Sequence, residues 1–180
     1  MAEKKIKAYD IVIIALMSAL IAVCSFIAIP VGALPVTLQT FAVFACVGIL
    51  GRKRGTVSVL VYVFLGIVGI PVFSGFQGGL SVLMGPTGGY IIGFLPAVFV
   101  SGSVLKKTGR KIPFMIASFV VGMTICYICG ILWFVFVFSA GKSDLVSAFS
   151  VCVLPYIIPD IIKITLAAVV STEIRKRIKL

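Results

Sequence analysis

The chain has no histidine, and only five of its 180 residues are acidic. Without imidazole there is no Ser–His or Cys–His catalysis and none of the usual histidine metal sites. Charge of either sign is scarce: 12% of residues are charged against 61% hydrophobic. That balance excludes an ordinary soluble domain and points to a polytopic membrane protein. No soluble basic domain is present to receive a duplex, so the net charge of +11 reflects membrane topology and anionic-lipid contact, not nucleic-acid binding. No internal repeat is visible, so the inverted-repeat design of many secondary transporters has no support. Cys126 and Cys129 form a C-x-x-C inside an apolar run, with no partner pair or adjacent charge. Together with Cys24, Cys46 and Cys152 they read as small packing residues, and no disulfide framework is indicated. "AGKS" matches the end of a phosphate-binding loop, but the first glycine that such a loop needs falls at Phe136. ATP hydrolysis is therefore excluded.

What the chain has in abundance is apolar length. Punctuated by glycine, proline and charge, it divides into six apolar segments: Ala8–Ile29, Val36–Leu50, Thr56–Val72, Gly89–Leu105, Ile112–Ala140 and Ser147–Thr172. At about 20 residues per span this predicts one all-α domain of six transmembrane helices over residues 1–180. The first segment is too long for the apolar core of a signal peptide and reads as a retained helix. Between the third and fourth lies "PVFSGFQGGLSVLMGPTGG", apolar yet too glycine-rich for a settled helix. It is expected to be partly re-entrant, folding back over or into the bundle from the outer side.

Basic residues orient the spans. They gather in four groups: Lys4, Lys5 and Lys7; Arg52, Lys53 and Arg54; Lys106, Lys107, Arg110 and Lys111; and Arg175, Lys176, Arg177 and Lys179. All four fall on one side of a six-span arrangement, which predicts cytoplasmic N and C termini. Two basic residues remain, Lys142 in an outer turn and Lys163 within the last span.

Lys163 belongs to "PYIIPDIIKI", where it follows Asp160 by three residues. Counting back from the cytoplasmic end near Glu173 places Asp160 about 20 Å from that face, in the outer half of a core about 30 Å thick. Proline suits the first turn of a helix, so a helix is expected to begin around Pro159 with Asp160 in its first turn. The i, i+3 spacing puts both charges on one face. They serve either as an internal salt bridge or as a polar ligand site. Ionisable residues within spans are costly, and they usually mark function.

Other unusual residues collect at the same outer end. "GALPVTLQT" brings Thr37, Gln39 and Thr40 to the start of the second span, and "GPTGGYIIGF" brings Thr87 and Tyr90 to the start of the fourth. Its glycines let the backbone come close to a ligand or to another helix. Trp133 in the outward half of the fifth span reads by itself as an interfacial anchor or a core filler. Together these residues form an outward pocket with aromatic walls and one charge pair, as a small-molecule site requires. In the first span Ala15 and Ala19, four apart, make a smooth patch that another helix can approach closely.

"PVTLQTF", "GPTGGYIIGF" and the P-D-x-x-K ending resemble the BioY family, the biotin-binding S components of energy-coupling factor transporters. The resemblance covers essentially the whole chain. It departs at Pro159, where the family commonly carries glycine. It implies no enzyme and no cofactor, but a multi-pass protein of the bacterial cytoplasmic membrane that takes biotin from outside. Transport would then need a transmembrane scaffold protein and two ATPase subunits. It further implies that Asp160 receives the ureido N–H groups, while Lys163 meets a ligand oxygen or neutralises Asp160. Gln39, Thr87 and Tyr90 would add polar contacts, Phe73, Phe76 and Trp133 walls or lid, and Ala15 and Ala19 the docking patch for the scaffold. The reading from residues alone leaves another class open, a stand-alone secondary transporter using Asp160 as a proton or ion site.

Overall fold

A computed structural model describes residues 8–32 and 34–177; the basic residues Lys4, Lys5, Lys7 and Lys179 lie outside them. Helix α1 (Ala8–Phe26) leads into an antiparallel hairpin of β1 (Ala28–Val31) and β2 (Leu34–Thr37). Then come α2 (Gln39–Leu50) and α3 (Arg52–Ile67), a short α4 (Leu80–Met84), α5 (Gly88–Thr108) and α6 (Ile112–Trp133). A π-helical turn, Phe134–Phe138, widens the end of α6, and the chain closes with α7 (Leu145–Cys152), a 3-10 turn at Leu154–Tyr156, and α8 (Ile157–Arg177).

Among the described residues, four helical stretches are long and apolar enough to cross a membrane, namely Ala8–Phe26, Gly88–Thr108, Ile112–Phe138 and Leu145–Arg177. Their outward faces carry large apolar side chains, among them Val12, Leu16, Val146 and Ile158, the reverse of a soluble protein's surface. The shorter α2 is the centre of the bundle. Every residue from Gln39 to Leu50 except Phe41 is buried, as expected of a helix that is apolar all round. Phe44 of α2 meets Phe119 of α6 with ring centroids 5.3 Å apart, and α8 packs along α2 and α6.

Three details differ from the segment reading. The hairpin takes up the gap between the first two apolar segments and the adjoining end of each, because Pro30 and Pro35, paired across it, each stop a helix. Arg52, Lys53 and Arg54 form the first turn of α3 instead of a connecting loop, since Gly51 makes the whole turn at φ 79°, a conformation open to glycine. The last apolar segment is broken between α7 and α8, with Pro155 in the 3-10 turn and Pro159 in the first turn of α8. Asp144 starts α7 by accepting the Ser147 N–H at 3.2 Å, and hydrogen bonding from the Ser147 side chain, then from its N–H, holds the carboxyl below its ordinary value.

The basic groups among the described residues, around Arg52, Arg110 and Arg175, share one end of the bundle. Arg110 reaches the carbonyls of Gly48 and Ile49, and Arg175 also reaches Ile49. Two guanidinium groups thereby satisfy C-terminal carbonyls of α2 that have no partner within the helix. Arg54 pairs with Asp10 of α1 at 2.6 Å, which brings the start of the chain's first helix to the same end.

Candidate functional site

At the other end of α2 lies a cavity of about 840 Å³. The N-terminal ends of α2, α5 and α8 converge on it, through Gln39 and Thr40, Thr87 and Tyr90, and Asp160 and Lys163 respectively. Helix N-termini carry partial positive charge and favour an anion there, which supports the carboxylate of Asp160. The hairpin contributes Leu34 to Thr37, α6 contributes Met123 and Tyr127, and the glycine-rich stretch contributes Phe73, Ser74 and Gln77. That stretch folds back as expected: Phe73 and Gln77 bridge in antiparallel fashion, and the Gly79 N–H donates to the Gly66 carbonyl at the end of α3 at 2.7 Å.

Asp160 and Lys163 are both buried and form an ion pair on one face of α8. Asp160 Oδ1 also accepts from Thr40 at 3.3 Å, Oδ2 accepts from Tyr127 at 2.6 Å, and Lys163 Nζ donates to the Thr37 carbonyl at 3.0 Å. Removing two charges from water is tolerable only with such additional partners. The pair thus ties four elements together: α8, α2, α6 and β2. Tyr90 and Tyr127 stand edge to face at 6.5 Å, and the Tyr90 hydroxyl donates to the Cys152 carbonyl at the end of α7. Gln39 lies in the wall with its amide donating to Tyr62 at 2.8 Å.

Of the residues singled out in the sequence, Asp160, Lys163, Tyr90, Gln39, Thr87 and Phe73 line one cavity. Phe76 and Trp133 do not. Phe76 is exposed and stacks on Phe26 of α1 with centroids 4.2 Å apart. Trp133 points at α5 instead: a Cβ on Gly89 would lie 2.3 Å from the Trp133 Cβ, so the indole fills the gap between α5 and α6. Ala15 and Ala19 sit on the exposed face of α1, away from the core.

Two lining tyrosines escaped the sequence reading. Tyr127, inside "ICYIC", could have been found by the logic that finds Asp160, because a hydroxyl buried in an apolar run needs a partner. Tyr156 had no comparable signal, since its role depends on the hairpin. Its hydroxyl accepts the Leu34 N–H at 3.1 Å and donates to the Leu34 carbonyl at 2.6 Å. It gives both the N–H and the carbonyl of Leu34, at the start of β2, a hydrogen-bond partner and so latches the hairpin to the 3-10 turn that leads into α8. Tyr156→Phe removes both and leaves a buried backbone N–H and C=O exposed to an apolar ring. The hairpin is expected to loosen, with amide exchange at Leu34 and Val36 accelerating by about one to two orders of magnitude for a loss of 1–3 kcal/mol.

A family model described as the BioY family matches residues 1–180. The biotin transporter BioY of Thermotoga maritima is 42% identical over 161 residues, covering 89% of this chain and 92% of that protein. The probable biotin transporter BioY of Pyrococcus horikoshii is 38% identical over 170 residues, covering 94% and 98%. The crystal structure of the S component for biotin from an ECF-type ABC transporter superposes with a TM-score of 0.86 at 31% identity, covering 98% of this chain and 95% of that one. With a family model matched from end to end, and relatives of this identity and coverage, the chain belongs to the BioY family.

Proposed function

We propose that the chain captures biotin in this cavity and hands it across the bacterial cytoplasmic membrane as the substrate-binding subunit of an energy-coupling factor transporter. A scaffold membrane protein and two ATPase subunits would supply the coupling and the ATP hydrolysis. The observation that carries the reading is the valence left over on the Asp160–Lys163 pair. A carboxylate has about four acceptor sites and an ammonium three donors. Lys163, Thr40 and Tyr127 use three sites on Asp160, while Asp160 and the Thr37 carbonyl use two donors of Lys163. That count leaves one acceptor on Asp160 and one donor on Lys163, and a cyclic urea presents an N–H beside a C=O. Asp160 thus takes a ureido N–H and Lys163 meets the ureido oxygen. Phe73, Tyr90 and Tyr127 offer apolar surface to the thiophane ring and chain, with Gln39 and Thr87 as further polar contacts.

In this reading α1, α2, α3, α5, α6 and the α7–α8 pair make six spans, with both termini on the cytoplasmic side. The shared end of Arg52, Arg110 and Arg175 supports that orientation, and it leaves the cavity facing outward. Ala15 and Ala19, exposed on α1, form the patch that receives the scaffold. Ala15→Leu is expected to leave the melting temperature and biotin affinity of the isolated protein unchanged. It would cut ATP-driven uptake by the assembled transporter at least about tenfold, since close helix approach depends on small residues.

The deciding experiment is equilibrium binding of biotin to the purified, detergent-solubilised chain, with thiamine and riboflavin as controls. Submicromolar binding selective for biotin is expected. Well-folded protein that binds no biotin would overturn the proposal.

A further inference from the structure

We infer that the cavity also takes biotin whose carboxyl group is blocked as an amide, including biotin carried on a larger primary amine. This rests on the biotin reading above and deepens it. Among the described residues that line the cavity, Asp160 and Lys163 are the only acidic or basic ones. Both are buried, paired with each other and engaged in the floor, where the ureido ring consumes their remaining valence. The opposite, solvent-facing end is lined by Ser74, Gln77, Ser81 and Thr87, with Gln77 and Ser81 exposed. That mouth is polar and uncharged. A ligand carboxylate lying there meets no cation, and it keeps much of its hydration. An amide, with its own donors and acceptor, suits hydroxyls and a carboxamide equally well.

Space allows the extension. Small-molecule sites run from about 300 to 1,000 Å³, and the 840 Å³ of this one is generous for a bicycle with a short chain. The exposed lining residues Gln77 and Ser81 belong to the glycine-rich stretch, whereas Asp160 and Lys163 are buried, so a substituent on the carboxyl end can leave past that stretch without displacing the floor contacts. The substrate class is therefore defined by the bicyclic urea and not by the acid.

The test is competition against labelled biotin on the intact purified chain, using biotin, biotinamide and the amide of biotin with the side-chain amine of lysine. Both amides are expected to bind within tenfold of biotin. A larger loss overturns the inference, because a single forfeited charge-assisted hydrogen bond costs about 10- to 150-fold. It would mean that the carboxylate is held by Lys163 with the ligand reversed. Failure of biotin itself to bind would overturn the parent reading as well, and so is distinct. A second arm places a cation at the mouth. Gln77→Lys is expected to raise the preference for biotin over biotinamide by about two- to fivefold, the size of an exposed ion pair, and the gain should vanish in high salt. An unchanged preference would show that the carboxylate does not lie at the mouth.

Discussion

Asp160→Asn is expected to weaken biotin binding by about 30- to 5,000-fold, the 2–5 kcal/mol range for removing one partner of a buried, hydrogen-bonded charge pair. Two costs contribute, and they can be separated. The first is loss of the charged acceptor for the ureido N–H. The second falls on Lys163, which keeps the Thr37 carbonyl but becomes an uncompensated buried charge, at up to about 3–5 kcal/mol of stability. The double variant Asp160→Asn with Lys163→Met removes the second cost without repairing the first. Melting of the ligand-free protein is expected to fall for the single variant and to recover for the double, while biotin affinity stays low in both. A single variant with full affinity would mean that the ligand is held elsewhere. Recovered affinity in the double would mean that the pair only fastens α8.

Gly89→Val is expected to be strongly damaging. At Gly89 an added Cβ would lie 2.3 Å from the Trp133 Cβ, 2.7 Å from the Cys129 carbonyl oxygen and 3.0 Å from the Gly130 Cα. Two of those obstacles are backbone and cannot swing aside, so α5 and α6 must separate. Overpacking usually costs about 1–3 kcal/mol and occasionally more, and a backbone obstacle puts this position at the upper end. The neighbouring Tyr90 packs its ring on Gly130, where a Cβ would come within 2.5 Å of it, and its hydroxyl holds the end of α7. Separation of the two helices therefore moves a cavity wall. Thermal melting and biotin titration together check this: stability and affinity should fall in parallel, whereas Asp160→Asn with Lys163→Met loses affinity alone. Unchanged melting in Gly89→Val would show that the α5–α6 seam has slack.

The glycines of "GPTGGYIIGF" show where sequence reading reaches its limit. Glycine announces close approach, but it does not say to what. Gly89 and Gly93 turn out to face Cys129, Gly130 and Cys126 of α6, so the closeness is to a helix and not to a ligand. Phe73 and Phe76 are two aromatic residues in one loop, equivalent in composition. Only the loop's fold turns Phe73 onto Gly66 and Tyr62 in the interior and leaves Phe76 outside on Phe26. The hairpin was hidden because Pro30 and Pro35 read only as the punctuation between two apolar runs, and proline does not say that the segments it separates pair with each other.

What the sequence determined by itself was the class of protein and the place of its charge pair. Hydropathy and basic-residue bias act residue by residue, whatever the partners, and an ionised group in an apolar run is costly wherever its neighbours lie. Tertiary structure alone decided who those neighbours are. Thr40 and Tyr127 lie 120 and 33 residues from Asp160, and Tyr156 lies 122 from Leu34. A hydrogen bond is a property of two groups at one distance, and over such separations no local pattern records that distance.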